Sequence, residues 1–372
     1  MDLALSEEQV ALQDSVRALL ADSYPTTQVR ACENDPATAR AIYAALDSLG
    51  LGGLLIPEGH GGVGLGAAEM VVVQLELGRA LVPALYTCST VGAASALALA
   101  DHADAAAILA AIAEGTTKAA YAQFVPGSAY PAATLRDGGA VIDGTASFVP
   151  EAALADWLLI AARDASGQPA LCLVARDAAG MALTPLANMT DQDMAEIAFA
   201  QTPVAHLVAA GERAEQAIAR ADSAMKLAIA AQAVGGAEQV FAMTREYACT
   251  RKQFGQPIGS FQAIAHMLAD GAVNIAGSSV LVHRAAAALD EGEPQAASWI
   301  DMAKLKACQM FRDVSAMAIQ AHGGIGFTLE ADPQLFFRRA KHLQLMHGEP
   351  LDLMEAVGAA VFDGNHRVLE NV

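Results

Sequence analysis

Two stretches of the chain carry residue types that could grip a flat or anionic ligand. Residues 251–270 read RKQFGQPIGSFQAIAHMLAD. Arg251 is a permanent planar cation whose donor fork suits a phosphate, Phe254-Gly255 makes a tight turn with an aromatic plug, and Gln262 offers an amide where the next helix starts. Residues 320–350 read QAHGGIGFTLEADPQLFFRRAKHLQLMHGEP. Its glycines Gly323, Gly324 and Gly326 let backbone amides come close to a ligand, because no Cβ intervenes and φ can be positive. Each stretch also has a plain reading: a helix-turn-helix with one solvated arginine, and a helix C-cap followed by a turn. Taken singly, neither decides between them.

The elements that must position these residues are mostly helices. Ser6 followed by Glu7 and Glu8 predicts an N-cap, with Val10, Leu12, Val16, Leu19 and Leu20 at helical spacing behind it. Further helices are expected over 36–49, 67–80 and 90–113, with the glycine-rich loop LGGLLIPEGHGGVGLG packing between helices. That loop lacks the spacing of a phosphate-binding turn. From about residue 117 to 207, short apolar runs alternate with turns at 137–139, Asp143-Gly144 and Ser166-Gly167, which predicts an antiparallel β domain. Three long helices follow, over 212–249, 258–289 and 296–320, and Gly235-Gly236 inside the first marks a place where another helix can pack closely. The organisation is therefore a helical domain over 1–116, a β-barrel or sandwich domain over 117–210, and a helical bundle over 211–372.

Composition narrows the function classes. Hydrophobic residues make up 54% of the 372 and aromatics only 5%, so the core must be built from Ala, Leu, Val, Ile and Met. A net charge of -19 argues against nucleic acid and anionic membranes as partners, and leaves any anionic cofactor dependent on local basic residues. The five cysteines are widely spaced without CxxC, which fits a reducing cytoplasm and suggests neither disulfides nor a zinc site. His266, His283 and His322 lack metal-site spacing, so no metal is expected.

The 251–270 stretch closely resembles the R-x-x-F-G-x-x-I-x-x-F-Q-x-I-x-H-x-L-A-D segment of the acyl-CoA dehydrogenases, and Gln320-Ala-His-Gly-Gly-Ile-Gly-Phe resembles their Q-x-x-G-G-x-G segment. LSEEQVALQDSVR, LGLGGLLIPEGHGGVGLG, and VIDGTASFV with ADWLLIAAR agree as well, so the resemblance covers essentially the whole chain. It implies a mainly α, α+β fold: an N-terminal helical domain, a middle antiparallel β domain and a C-terminal four-helix bundle. It also implies FAD held across a subunit interface, with Arg251, Phe254, Gln262, Gln320, Gly323 and Gly324 at the positions that hold the ADP portion. The reaction implied removes an α proton and a β hydride from an acyl-CoA thioester, with an electron-transfer flavoprotein as acceptor.

Two departures from the family pattern follow from the same alignment. His347 stands where most members carry a catalytic glutamate, with Glu349 two residues late. Met225 and Lys226 occupy the alternative base position, with Asp222 one helical turn early. The flavin-ring loop reads Gln123-Phe124-Val125-Pro126-Gly127-Ser128-Ala129, and the aromatic-to-hydroxyl triplet on the β domain reads Phe148-Val149-Pro150, in which Pro150 has no hydroxyl and no amide hydrogen. The catalytic residue is thus left open, with His347 and Glu349 as candidates. Three readings remain: a subunit of a heteromer whose homologous partner supplies ring pocket and base, linked by the resemblance to bulky, steroid-type thioesters; a self-sufficient homo-oligomer using His347 or Glu349; and a flavin-free structural subunit.

Overall fold

The computed structural model describes residues 4–100, 102–122, 134–136, 138 and 140–362. In chain order, α1 (Glu7–Ser23), α2 (Thr26–Asn34), α3 (Ala39–Ser48) and α4 (Ala67–Arg79) come first. Next is a helical segment made of α5 (Ala84–Thr87), a π turn and α6 (Ala94–Leu97), and then α7 (Ala103–Ala113). The strands are β1 (Ala119–Ala122), β2 (Thr134–Arg136), β3 (Val141–Pro150), β4 (Trp157–Arg163), β5 (Pro169–Ala175), β6 (Met181–Pro185), β7 (Met194–Pro203) and β8 (His206–Ala210). After them run α8 (Glu212–Thr250), a hairpin of β9 (Lys252–Gln253) and β10 (Gln256–Pro257), α9 (Gln262–Asp290), α10 (Ala296–His322), α11 (Pro333–Leu345) and α12 (Pro350–Phe362).

Residues 1–26, 67–82 and 226–372 form one compact unit, and residues 27–66 and 83–225 a second. In the first unit, α10 packs on α9, α11 and α12, while α4 lies against α1 and α9. Alanine and glycine permit these close approaches. A Cβ on Gly78 would stand 2.1 Å from the Gln232 carbonyl oxygen, and one on Gly235 only 1.8 Å from that of Leu75, so α4 and α8 cross with their backbones nearly touching. Gly236, as its position in the sequence suggested, faces a neighbour too: its Cβ would be 2.5 Å from the ring of Phe311. The N-terminus of α4 has a distant cap, since Asp290 accepts from the amides of Ala67 and Ala68 at 2.7 and 2.9 Å. At α1 the expected N-cap is a full capping box, with Ser6 and Gln9 bonding each other's backbone amides.

The second unit is built on one sheet in the order β6-β7-β3-β2-β4-β5-β8. It is antiparallel except where β1 and β2 lie parallel to β4. Two local expectations change here. Asp143-Gly144 is not a turn but part of β3, where a register shift beside β7 and a φ of +110° at Gly144 absorb the irregularity. The helix expected over 90–113 is two helices, because Arg213 takes the Leu99 carbonyl at 3.0 Å and His102 caps a new helix by accepting from the Asp104 amide. The expected turn at 137–139 lies largely outside the described residues.

All five cysteines are free, and four are buried. One described helix, α9, is long and apolar enough by composition to cross a membrane; here it packs along α10 and α4.

Candidate functional site

The end of α8 sets the first part of the site. The Arg251 amide donates to the Tyr247 carbonyl at 2.8 Å, and the Ile258 amide to the Arg251 carbonyl at 2.8 Å, which closes the base of the β9–β10 hairpin. Its two loop residues, Phe254 and Gly255, both have positive φ, +52° and +82°, as a type I′ turn requires. Phenylalanine is a costly choice there, since a Cβ strains the left-handed region. Moreover, Phe254 is 92% exposed, and its ring stands edge-on to Phe261 with centroids 6.1 Å apart. Backbone strain and an uncovered aromatic ring thus meet at one residue. The hairpin then passes through a short 3-10 turn into α9, whose first residue is the exposed Gln262.

The end of α10 meets the end of α8. Tyr247 and His322 stack with ring centroids 4.3 Å apart and planes 22° from parallel. His322 is the last residue of α10, and Gly323 ends the helix at φ +65°, ψ −143°, a conformation that essentially only glycine adopts. The three glycines play different parts. A Cβ on Gly326 would lie 2.6 Å from the Ile319 carbonyl oxygen, so that glycine serves packing. At Gly323 and Gly324 an added Cβ would meet nothing within 4 Å, so the turn faces open space. Among the described residues, the side chains of Arg251, Gln262 and Gln320 have no hydrogen bond or ion pair, and all three are exposed. A free guanidinium, two free amides and an open glycine turn therefore share one end of the bundle. That donor set fits a pyrophosphate and its nucleoside.

The candidate catalytic turn is arranged differently. After α11, the Met346 amide donates to the His342 carbonyl at 3.3 Å, and His347 takes φ +53° and is buried. Glu349 is exposed and its carbonyl accepts from the Leu353 amide of α12 at 3.0 Å. The fully buried Lys304 donates to the carbonyls of Gln344 at 3.2 Å and Gly348 at 3.0 Å, bracketing His347. Burial pushes the Cys308 thiol up, against the opposing pull of Lys304. Arg339 is also buried and donates to the Leu81 and Val82 carbonyls at 3.0 Å each. Burial, reinforced by Arg339, pushes the His342 imidazole down to about 3. The turn is rigidly held by buried cations, but no carboxylate stands at position 347.

At the alternative base position, Met225 is buried and the half-buried Lys226 is held by Asp301 at 3.0 Å. Burial raises the Tyr121 hydroxyl's pKa, and the nearby Asp222 adds to the rise. The ring loop at Gln123–Ala129 lies outside the described residues. Phe148 sits at a bulge of β3 with φ +59° and is 44% exposed, while Val149 and Pro150 are buried. Sequence reasoning missed Glu151 directly after them: it is buried, takes φ +47°, and accepts from the Tyr43 hydroxyl at 2.6 Å and the Leu85 amide at 2.7 Å. The Phe148–Glu151 segment is thereby tied to the N-terminus of α5.

Comparisons with known proteins agree with this geometry. Residues 6–116 match the acyl-CoA dehydrogenase N-terminal domain and residues 194–361 the acyl-CoA dehydrogenase C-terminal domain. The acyl-CoA dehydrogenase IpdE2 of Mycolicibacterium smegmatis is 30% identical over 363 residues, covering 96% of this chain and all of that one. One chain of the ChsE4–ChsE5 complex of Mycobacterium tuberculosis superposes with a TM-score of 0.87 at 26% identity, over 97% of this chain and 99% of that one. A steroid acyl-CoA dehydrogenase, Tcur3481–Tcur3483, does so with a TM-score of 0.87 at 27% identity, over 96% and 99%.

Proposed function

The chain belongs to the acyl-CoA dehydrogenase family, FAD-dependent oxidoreductases acting on acyl-CoA, and from that premise we propose that it works as one subunit of a heteromer. In this reading Arg251, Phe254, Gln262, Gln320, Gly323 and Gly324 hold the ADP half of an FAD, and a homologous partner chain supplies a complete ring pocket and the base. Residues 1–116, 117–210 and 211–372 are its helical, β and helical-bundle domains. Bound FAD supplies the hydride acceptor for α,β-dehydrogenation of the thioester. Removing the α proton requires a base within hydrogen-bond reach of it.

One contrast carries the proposal: free phosphate-binding groups at one end of the bundle, and a buried histidine at the position where a carboxylate belongs. The likeness to a two-chain complex and to a steroid enzyme supports a heteromer and a bulky, steroid-type acyl-CoA substrate. Electron-transfer flavoprotein is the proposed acceptor and the cytoplasm the proposed location. A second reading, a self-sufficient homo-oligomer with His347 as base, is favoured by the burial of His347 in a firmly clamped turn. Glu349 is the weaker base candidate, because it is exposed and opens α12.

Purification of the chain alone and co-expressed with a homologous partner tests this. The expected result is colourless or weakly yellow protein alone, and a yellow complex that oxidises acyl-CoA when paired. Stoichiometric FAD and turnover in the isolated chain would establish the homo-oligomer instead. Protein without flavin in every pairing would sink both readings.

A further inference from the structure

We infer that Tyr247 and His322 are positioning residues that hold the two halves of the nucleotide clamp in register; the inference rests on the reading of this end of the bundle as the ADP site. The two rings join helix ends that the backbone does not connect directly. On one side, the Tyr247 carbonyl accepts the Arg251 amide at 2.8 Å, so the arginine backbone is set one turn beyond the tyrosine. On the other, His322 is covalently next to Gly323, whose φ of +65° opens the glycine turn. The imidazole is held from two directions, by the stack at 4.3 Å and by Nδ1 lying 2.8 Å from the Ala318 carbonyl oxygen. A carbonyl oxygen can only accept, so Nδ1 donates there.

The packing of Gly236 on Phe311, and of Gly271 against both Phe241 and Met317, holds the helices together farther back, and the stack carries that contact on to the last turns of α8 and α10. Arg251 and the glycine turn are both exposed, so the stack is the described ring contact nearest to where they stand. A pyrophosphate bridging a guanidinium and backbone amides needs both at hydrogen-bond distance at once. Register between the helix ends therefore becomes affinity for the nucleotide, although neither ring need touch it.

The test uses the FAD-containing assembly and reads flavin release on dilution together with the melting temperature of the apoprotein. Tyr247→Ala and His322→Ala are each expected to weaken FAD binding about tenfold, the scale of one aromatic pair converted to an equilibrium ratio. Tyr247→Phe and His322→Phe keep the stack and are expected to hold FAD as wild type does. Arg251→Ala, which removes a direct contact, calibrates the assay. Rescue by the phenylalanine variants, with apoprotein melting unchanged, is an outcome that general destabilisation does not produce. Both alanine variants holding FAD like wild type while Arg251→Ala loses it would overturn the positioning role alone. If Arg251→Ala also retains FAD, the nucleotide site itself is misplaced and the positioning role falls with it. Should one alanine variant fail to fold, its partner on the opposite ring gives the same reading.

Discussion

Burial removes from His342 the water an imidazolium needs, and the neighbouring Arg339 repels a second positive charge. The side chain is neutral in the folded protein, whereas the unfolded chain takes up a proton as pH falls through about 6.5. A depressed folded-state value means that this stability is fully present above about 6.5 and is lost as pH drops towards about 3. Each pH unit in that window costs about 1.4 kcal/mol, so roughly 2 kcal/mol is gone by pH 5. Melting curves of wild type and His342→Gln between pH 7.5 and 4.5 are expected to diverge, with wild type the steeper; parallel curves would show that His342 does not carry the effect. Lys304 is the companion case, a buried ammonium accepted because the Gln344 and Gly348 carbonyls need a donor. The sequence does not announce either residue as buried. A lysine in an alanine-rich helix and a histidine after RRAK look like solvated positions until the turn that folds over them is known.

The helices were legible where their periodicity was unbroken, and the crossings between them only in part. Gly235-Gly236 could be read as a place of close approach, but its partner could not, since α4 lies far away in the chain. In the fold, Leu75 and Gly78 of α4 meet Gly235 and Gln232 of α8 backbone to backbone. Gly235→Ala would push a methyl group to 1.8 Å from a carbonyl oxygen, and no side-chain rotation can relieve that contact. Separation of the helices is the only remedy, at a cost of about 3 kcal/mol. A urea midpoint within error of wild type would contradict this crossing. Gly324→Ala serves as the contrast, since its added methyl meets open space and should leave the midpoint almost unchanged. The site was legible to the same partial degree. Arg251, Gln262 and Gln320 belong to local motifs, but the Tyr247–His322 stack and the Glu151–Tyr43 bond, between residues 108 apart, leave no spacing pattern to find. The helix break at Leu99 was hidden for the same reason: no glycine or proline marks it, and the group that takes the Leu99 carbonyl, Arg213, is distant in the chain.

At the scale of the whole molecule, sequence neighbourhood and packing sort the chain differently, because residues 1–26 and 67–82 are compact with 226–372. Charge acts at this scale too. With 41 acidic against 22 basic residues, the folded chain concentrates a net charge of -19 that unfolding disperses. Self-repulsion of this kind destabilises the compact state, and salt screens it, the Debye length shrinking from about 30 Å at 0.01 M to about 10 Å at 0.1 M. Salt also weakens exposed ion pairs such as Arg136–Asp143 and Arg312–Asp313, each worth at most about 1 kcal/mol. The Arg17–Glu76 and Arg79–Glu76 pairs keep their strength better, since the Glu76 side chain is nearly inaccessible to solvent. The chain's acidic excess outweighs exposed pairs of this kind, so the melting temperature of the purified chain is expected to rise by several degrees between roughly 10 mM and 200 mM sodium chloride. A fall over that range would mean that local pairing, not net charge, governs the electrostatic part of its stability.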